Sequence, residues 1–142
     1  MRNWILLIYK IPNEPSAGRV FVWRKLKKLG AMLLHDAVWV LPATPQTKEH
    51  FRWLAAEIAE LDGEATVWES RLATGDEDQL AEQFSAAVEP AYREIMSAMK
   101  AKDADLAALS RRYQQVRAQD YFDSELGQRL REAFIAAKGG PK

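Results

Sequence analysis

Between Arg19 and Lys28 the sequence places five cations, Arg19, Arg24, Lys25, Lys27 and Lys28, with no acidic residue among them. Phe21 and Trp23 are interleaved with them. Clustered cations beside aromatic rings suit a phosphate backbone, where affinity is mostly electrostatic and falls with salt. The plainer alternative is a solvated helix face whose Trp23 turns into the core. A second cationic group, Arg111, Arg112 and Arg117, lies close to Asp120. Its fork-shaped guanidinium groups suit a small oxyanion. Pairing with Asp105 and Asp120 inside the chain would satisfy the same arginines.

Other chemistry finds little support. With no cysteine, thiolate nucleophiles, disulfides, Cys-ligated zinc and iron–sulfur clusters are all excluded. The two histidines, His35 and His50, have Asp36 and Glu49 as immediate neighbours, and adjacent side chains point apart rather than converging on a metal. The glycines are isolated apart from the final pair, so no phosphate-cradling loop or nucleophile elbow is present. No cofactor is expected.

The elements that must position these groups can be read from periodicity. Asn3–Ile11 is a short aliphatic and aromatic run ended by Pro12, and both of its alternating sets are apolar. That pattern predicts a central strand covered on both faces. Trp39 and Trp68 add to the sheet surface that must be hidden, by helices after Gly75 or by a second subunit. Ser16 is a candidate cap for a helix ending at Gly30, with Gly18, Val22, Leu26 and Leu29 along its inner face. Ala31–His35 and Ala37–Leu41 read as strands joined at His35-Asp36. Thr44 followed by Pro45 is a strong helix start, and Phe51, Leu54, Ala55, Ile58 and Leu61 continue it. Glu64–Arg71 reads as a last strand.

The first 72 residues therefore predict an α+β, ferredoxin-like βαββαβ core. All five tryptophans precede residue 70, and the remainder reads as three helices across 76–138. Leu80 to Met99 marks the first of these, with Pro90 set to kink or restart it. Leu106, Leu109, Tyr113 and Val116 mark the second, and Leu126, Leu130, Phe134 and Ala137 the third. Asp76-Glu77-Asp78 suits the first turn of a helix. Gly139-Gly140-Pro141-Lys142 is expected to be loose. The 142 residues are expected to form a single domain, with the helical extension packed on the core.

Charge adds a gradient beneath overall neutrality. Residues 1–30 hold seven basic residues against Glu14 alone, a net +6, so the remaining 112 carry −6. The longest uncharged stretch, Ala37–Thr47, has eleven residues and two prolines, far short of the roughly 20 apolar residues of a membrane span. A cytoplasmic location with no membrane partner is expected.

The stretches WILLIYKIP, RVFVWRKLKKLGA, AVWVLPAT, FRWLAAEIAELDGEA and LSRRYQQVRAQDYFD follow one another along nearly the whole chain. In order and spacing they resemble the N-terminal domain of the ChrB family, regulators of bacterial chromate-resistance operons. The resemblance implies a transcriptional regulatory module that binds double-stranded operator DNA, responds to chromate or another oxyanion, and forms a homodimer. The basic helix then faces phosphate, and no enzymatic activity is expected. The competing expectation is an oxyanion-sensing or protein-interaction module that does not touch DNA. More distantly, the first seventy residues are similar to the ferredoxin-like nucleases of CRISPR adaptation and to a domain of PaaX-type repressors. Those nucleases hold a metal with an Asp at the end of the first strand. Here the matching position is Lys10, and its ammonium repels Mg²⁺.

Overall fold

A computed structural model describes residues 2–139. The loose end expected from Gly139 onward lies, past Gly139 itself, outside the described residues. The chain divides into two compact units, Met1–Glu77 and Asp78–Lys142.

The first unit runs β1 (Trp4–Lys10), α1 (Ser16–Leu29), β2 (Met32–His35), β3 (Val38–Pro42), α2 (Pro45–Glu60) and β4 (Glu64–Ser70). Its four strands form an antiparallel sheet in the order β2-β3-β1-β4, with the apolar β1 at the centre as its pattern predicts. Ile5 and Leu7 of β1 lie in register with Leu41 and Trp39 of β3 and are fully buried with them. The alternate set is less uniform. Trp4 is buried and Leu6 half-buried, whereas Ile8 is 38% and Trp68 54% exposed.

Both helices of this unit end where local chemistry stops them. Thr44 caps α2 as expected. Its hydroxyl accepts from the Thr47 backbone N–H at 3.0 Å, while the Thr47 hydroxyl accepts from the Thr44 N–H at 2.8 Å and donates to the Pro42 carbonyl at 2.6 Å. A Thr–Thr pair here replaces the usual Ser/Thr with Glu/Gln. On α1 the expected cap is displaced by one residue. Pro15 occupies the N-cap position, Ser16 begins the helix, and no side chain caps the first turn. Gly30 closes it in the left-handed conformation at φ 77°, returning its N–H to Leu26 and Lys27. Glu77, which opens the next helix, also ties down the start of the chain: it accepts from the Arg2 N–H and from Trp4 Nε1, at 3.1 and 3.2 Å.

Beyond β4, α3 (Glu77–Met99), all of it but Glu77 in the second unit, α4 (Leu106–Arg117) and α5 (Glu125–Gly139) match the three expected helices. Pro90 lies inside α3 without restarting it. An interior proline removes one helical hydrogen bond and crowds the preceding turn, at about 3 kcal/mol, offset by about 1 kcal/mol for stiffening the unfolded chain. Because Pro90 is exposed and makes no core packing, Pro90→Ala is expected to raise unfolding stability by about 1–2 kcal/mol in urea titration.

The core of this unit gathers Val88, Tyr92, Ile95, Tyr113, Val116, Leu130 and Phe134. Between α4 and α5 the buried Asp120 carboxylate accepts from Tyr92 Oη at 2.9 Å, from the Ser124 N–H at 3.0 Å and from Ser124 Oγ at 3.0 Å. Ser124 Oγ in turn accepts from the Gly127 N–H, closing the start of α5. Burial, then the bond to Asp120, push the Tyr92 phenol far above its ordinary 10.0. Burial alone pushes Tyr121 up to about 12.

These shifts carry a sign. The unfolded chain releases both phenolic protons near pH 10 while the folded chain keeps them. Stability from this source is fully present below pH 10 and is lost as pH climbs from 10 towards about 12. Urea midpoints should therefore fall across that interval, and Tyr121→Phe should make the fall shallower. A flat profile would contradict the buried placement of these phenols.

Candidate functional site

Helix α1 packs on the sheet along a single stripe of Gly18, Val22 and Leu26, with Leu29 half-buried. The i, i+4, i+8 spacing follows from one buried residue per helical turn. Gly18 faces the Ile11 and Leu61 side chains, which a Cβ there would meet at 3.4 and 3.6 Å, ordinary contact distances. Every other residue of α1 is exposed, including Arg19, Arg24, Lys25, Lys27 and Lys28.

Trp23 is 52% exposed, which removes the reading in which it belongs to the core. Val20 and Phe21 are exposed as well. Lys25 Nζ lies over the Phe21 ring at 5.5 Å, and Lys27 Nζ over the Trp23 ring at 5.8 Å. Such contacts hold flexible ammonium groups near a defined surface at a cost well below that of burying them. Lys27 and Lys28 also occupy the last turn, where the negative end of the helix dipole favours them. The result is an exposed helix surface carrying five cations and two aromatic rings.

The other cationic group is arranged differently from the sequence expectation. Arg111 and Arg112 are exposed on other faces of α4, well over 90° around the axis from Arg117 at about 100° per residue. Arg117 instead shares a cavity of about 300 Å³ with Ser110, Tyr113 and Gln114 of α4 and with Arg131, Phe134, Ile135 and Lys138 of α5. Its guanidinium lies 3.5 Å from Asp123. The neighbouring Tyr113 phenol, with Asp123, raises its already high pKa further. Tyr113 Oη is buried and unpartnered in this cavity wall. The expected pairings with Asp105 and Asp120 do not form: Asp105 caps α4 by accepting from the Ala108 N–H, and Asp120 serves Tyr92 and Ser124. Arg131 and Lys138 escaped the sequence reading because α5 meets α4 only in three dimensions.

Metal chemistry gains nothing from the fold. Among the described residues no group of three His, Cys, Asp or Glu side chains could hold an ion. His35 Nε2 faces Asp36 at 3.6 Å on the surface, and His50 packs edge-on to Trp53. No helix of the described residues is long and apolar enough to cross a membrane.

No solved structure matches the chain. The curated Protein ChrB of Cupriavidus metallidurans is 31% identical over 139 residues, covering 89% of this chain. The chain spans 42% of that relative's length. Residues 19–118, from the first cation of α1 to the residue after α4, match the family described as Protein ChrB, N-terminal. The chain belongs to the ChrB N-terminal family.

Proposed function

We propose that this protein is a DNA-associated transcriptional regulatory module of the chromate-resistance type, with α1 facing the phosphate backbone. The observation that carries the reading is the exposed face of α1, with five cations, no acidic residue, and the Phe21 and Trp23 rings beside them. Such a face supplies sequence-independent affinity and orientation. Sequence preference then comes from dimer geometry or DNA shape. Electrophoretic titration with duplex DNA at two salt concentrations tests it. Binding that weakens steeply with salt supports the reading, and no binding at low salt defeats it.

The proposal includes a cytoplasmic homodimer without catalytic activity. Exposed Ile8 and Trp68 on one sheet face suit a second copy. Sedimentation showing only 16.1 kDa material at tens of micromolar would count against the dimer. Cleavage of DNA in Mg²⁺ or Mn²⁺ that disappears on mutating Asp36 would overturn the non-enzymatic reading.

A second reading, oxyanion sensing without DNA contact, is favoured by the α4–α5 cavity with Arg117, Arg131, Lys138 and the unpartnered Tyr113 hydroxyl. Calorimetric titration with chromate, repeated on Arg117→Ala, separates the two. Chromate binding lost in that variant, with no duplex binding in the parent, would favour the second.

A further inference from the structure

The first unit contains a larger cavity that shares Arg19, Trp23 and Arg24 with the proposed DNA-facing surface of α1 but reaches inward to Tyr9, Lys10 and Trp39. It measures about 800 Å³ and lies where β1 ends, α1 begins and the β2–β3 turn closes. Tyr9, Val20, Trp23, Leu33 and Trp39 give it a largely apolar and aromatic wall. Lys10, Arg19 and Arg24 bring three positive charges to it against the single carboxylate of Asp36, which also faces His35.

Two further features lie at this wall. Helix α1 opens beside it at Ser16, with Pro15 as its N-cap and no capping side chain, so the positive end of the helix dipole lies next to the cavity. Independently, Trp39 is 4% exposed and its Nε1–H has no hydrogen-bond partner. A buried indole donor without an acceptor is unfavourable, and such donors are nearly always satisfied.

We propose that this cavity is a binding site for a small organic anion, with a planar aromatic body and a carboxylate or phosphate head. The aromatic wall takes the body, while Lys10, Arg19 and the start of α1 hold the head. Volume argues for an organic ligand: sites of roughly 300–1,000 Å³ accommodate drug-sized molecules, whereas a tetrahedral inorganic ion would leave most of this space and its apolar wall unused. Charge argues for an anion, since Lys10, Arg19 and Arg24 outweigh Asp36 around the cavity and attract a negative group to it.

The test uses protein labelled with ¹⁵N at its indole nitrogens, with the resonances assigned from Trp23→Phe and Trp39→Phe. Benzoate, phenyl phosphate and 1-naphthyl phosphate are the probes, with inorganic phosphate and benzyl alcohol as controls. At least one aromatic anion is expected to move the Trp39 and Trp23 signals while leaving Trp53 and Trp68 in place, and to bind roughly tenfold or more tightly than either control. Arg19→Ala should weaken it by a similar factor, whereas Lys28→Ala, outside the cavity, should not. The proposal is overturned if none of the three anions moves Trp39 at millimolar concentration, if inorganic phosphate binds as well, or if Arg19→Ala changes nothing in a folded protein. None of these readouts involves DNA, so failure here and failure of the DNA-facing reading are separate results.

Discussion

Gly127→Ala is expected to destabilise the protein by about 3 kcal/mol, although helix propensity alone predicts a gain of up to about 1 kcal/mol. Gly127 lies in the first turn of α5, and a Cβ there would come within 2.7 Å of Asp120 Oδ2 and 2.9 and 3.0 Å of the Tyr92 ring. Neither neighbour is a flexible surface end. Tyr92 is 0% exposed, and Asp120 is fixed by bonds from Tyr92 and Ser124. Relieving the clash separates Tyr92 from the carboxylate, and a hydrogen bond to a charged group contributes about 1.5–3 kcal/mol. Gly18→Ala is the control, because its Cβ would meet only the Ile11 and Leu61 side chains at ordinary contact distance. Urea titration should show a large fall for the first variant and no fall for the second. Equal behaviour of the two would contradict the packing around Asp120.

The charge-reversed variant Lys27→Glu with Lys28→Glu is expected to lose duplex affinity by about a hundredfold at moderate salt. Each lost phosphate contact removes about 0.9 from the slope of log K against log salt, close to one decade of affinity near 0.1 M. Two new carboxylates at the negative end of α1 add repulsion. The Gly18, Val22 and Leu26 stripe is untouched, so the helix should remain docked, which circular dichroism checks. The loss should be uniform across DNA sequences. Full affinity in the folded variant would move the interface away from α1.

Much of this architecture was legible because it is written in local signals. The Thr44-Pro45 start of α2, the Gly30 stop of α1 and the apolar alternation of β1 each reflect the chemistry of neighbouring residues. They appear where expected. The displaced cap at Pro15 is a local competition in which two adjacent residues both suit a helix start. What escaped was tertiary. Nothing near Arg117 in sequence announces Arg131 and Lys138, and nothing near Lys10 announces Trp39 as a wall of the same cavity. Trp23 was ambiguous because a tryptophan among cations suits a core or a phosphate-facing surface equally well. Its 52% exposure decides for the surface.

The pairing of β1 also sets a timetable. Its partners on β4, from Glu64 to Ser70, lie more than fifty residues further along the chain. During synthesis the central strand therefore waits without one neighbour until Ser70 has left the ribosome, its apolar residues open to wrong partners in the meantime. The second unit escapes this delay, since α4 and α5 are joined by seven residues and can meet almost as soon as both exist. Pulse-labelled refolding should accordingly show amide protection arising in α4 and α5 before it arises in the β1–β4 ladder.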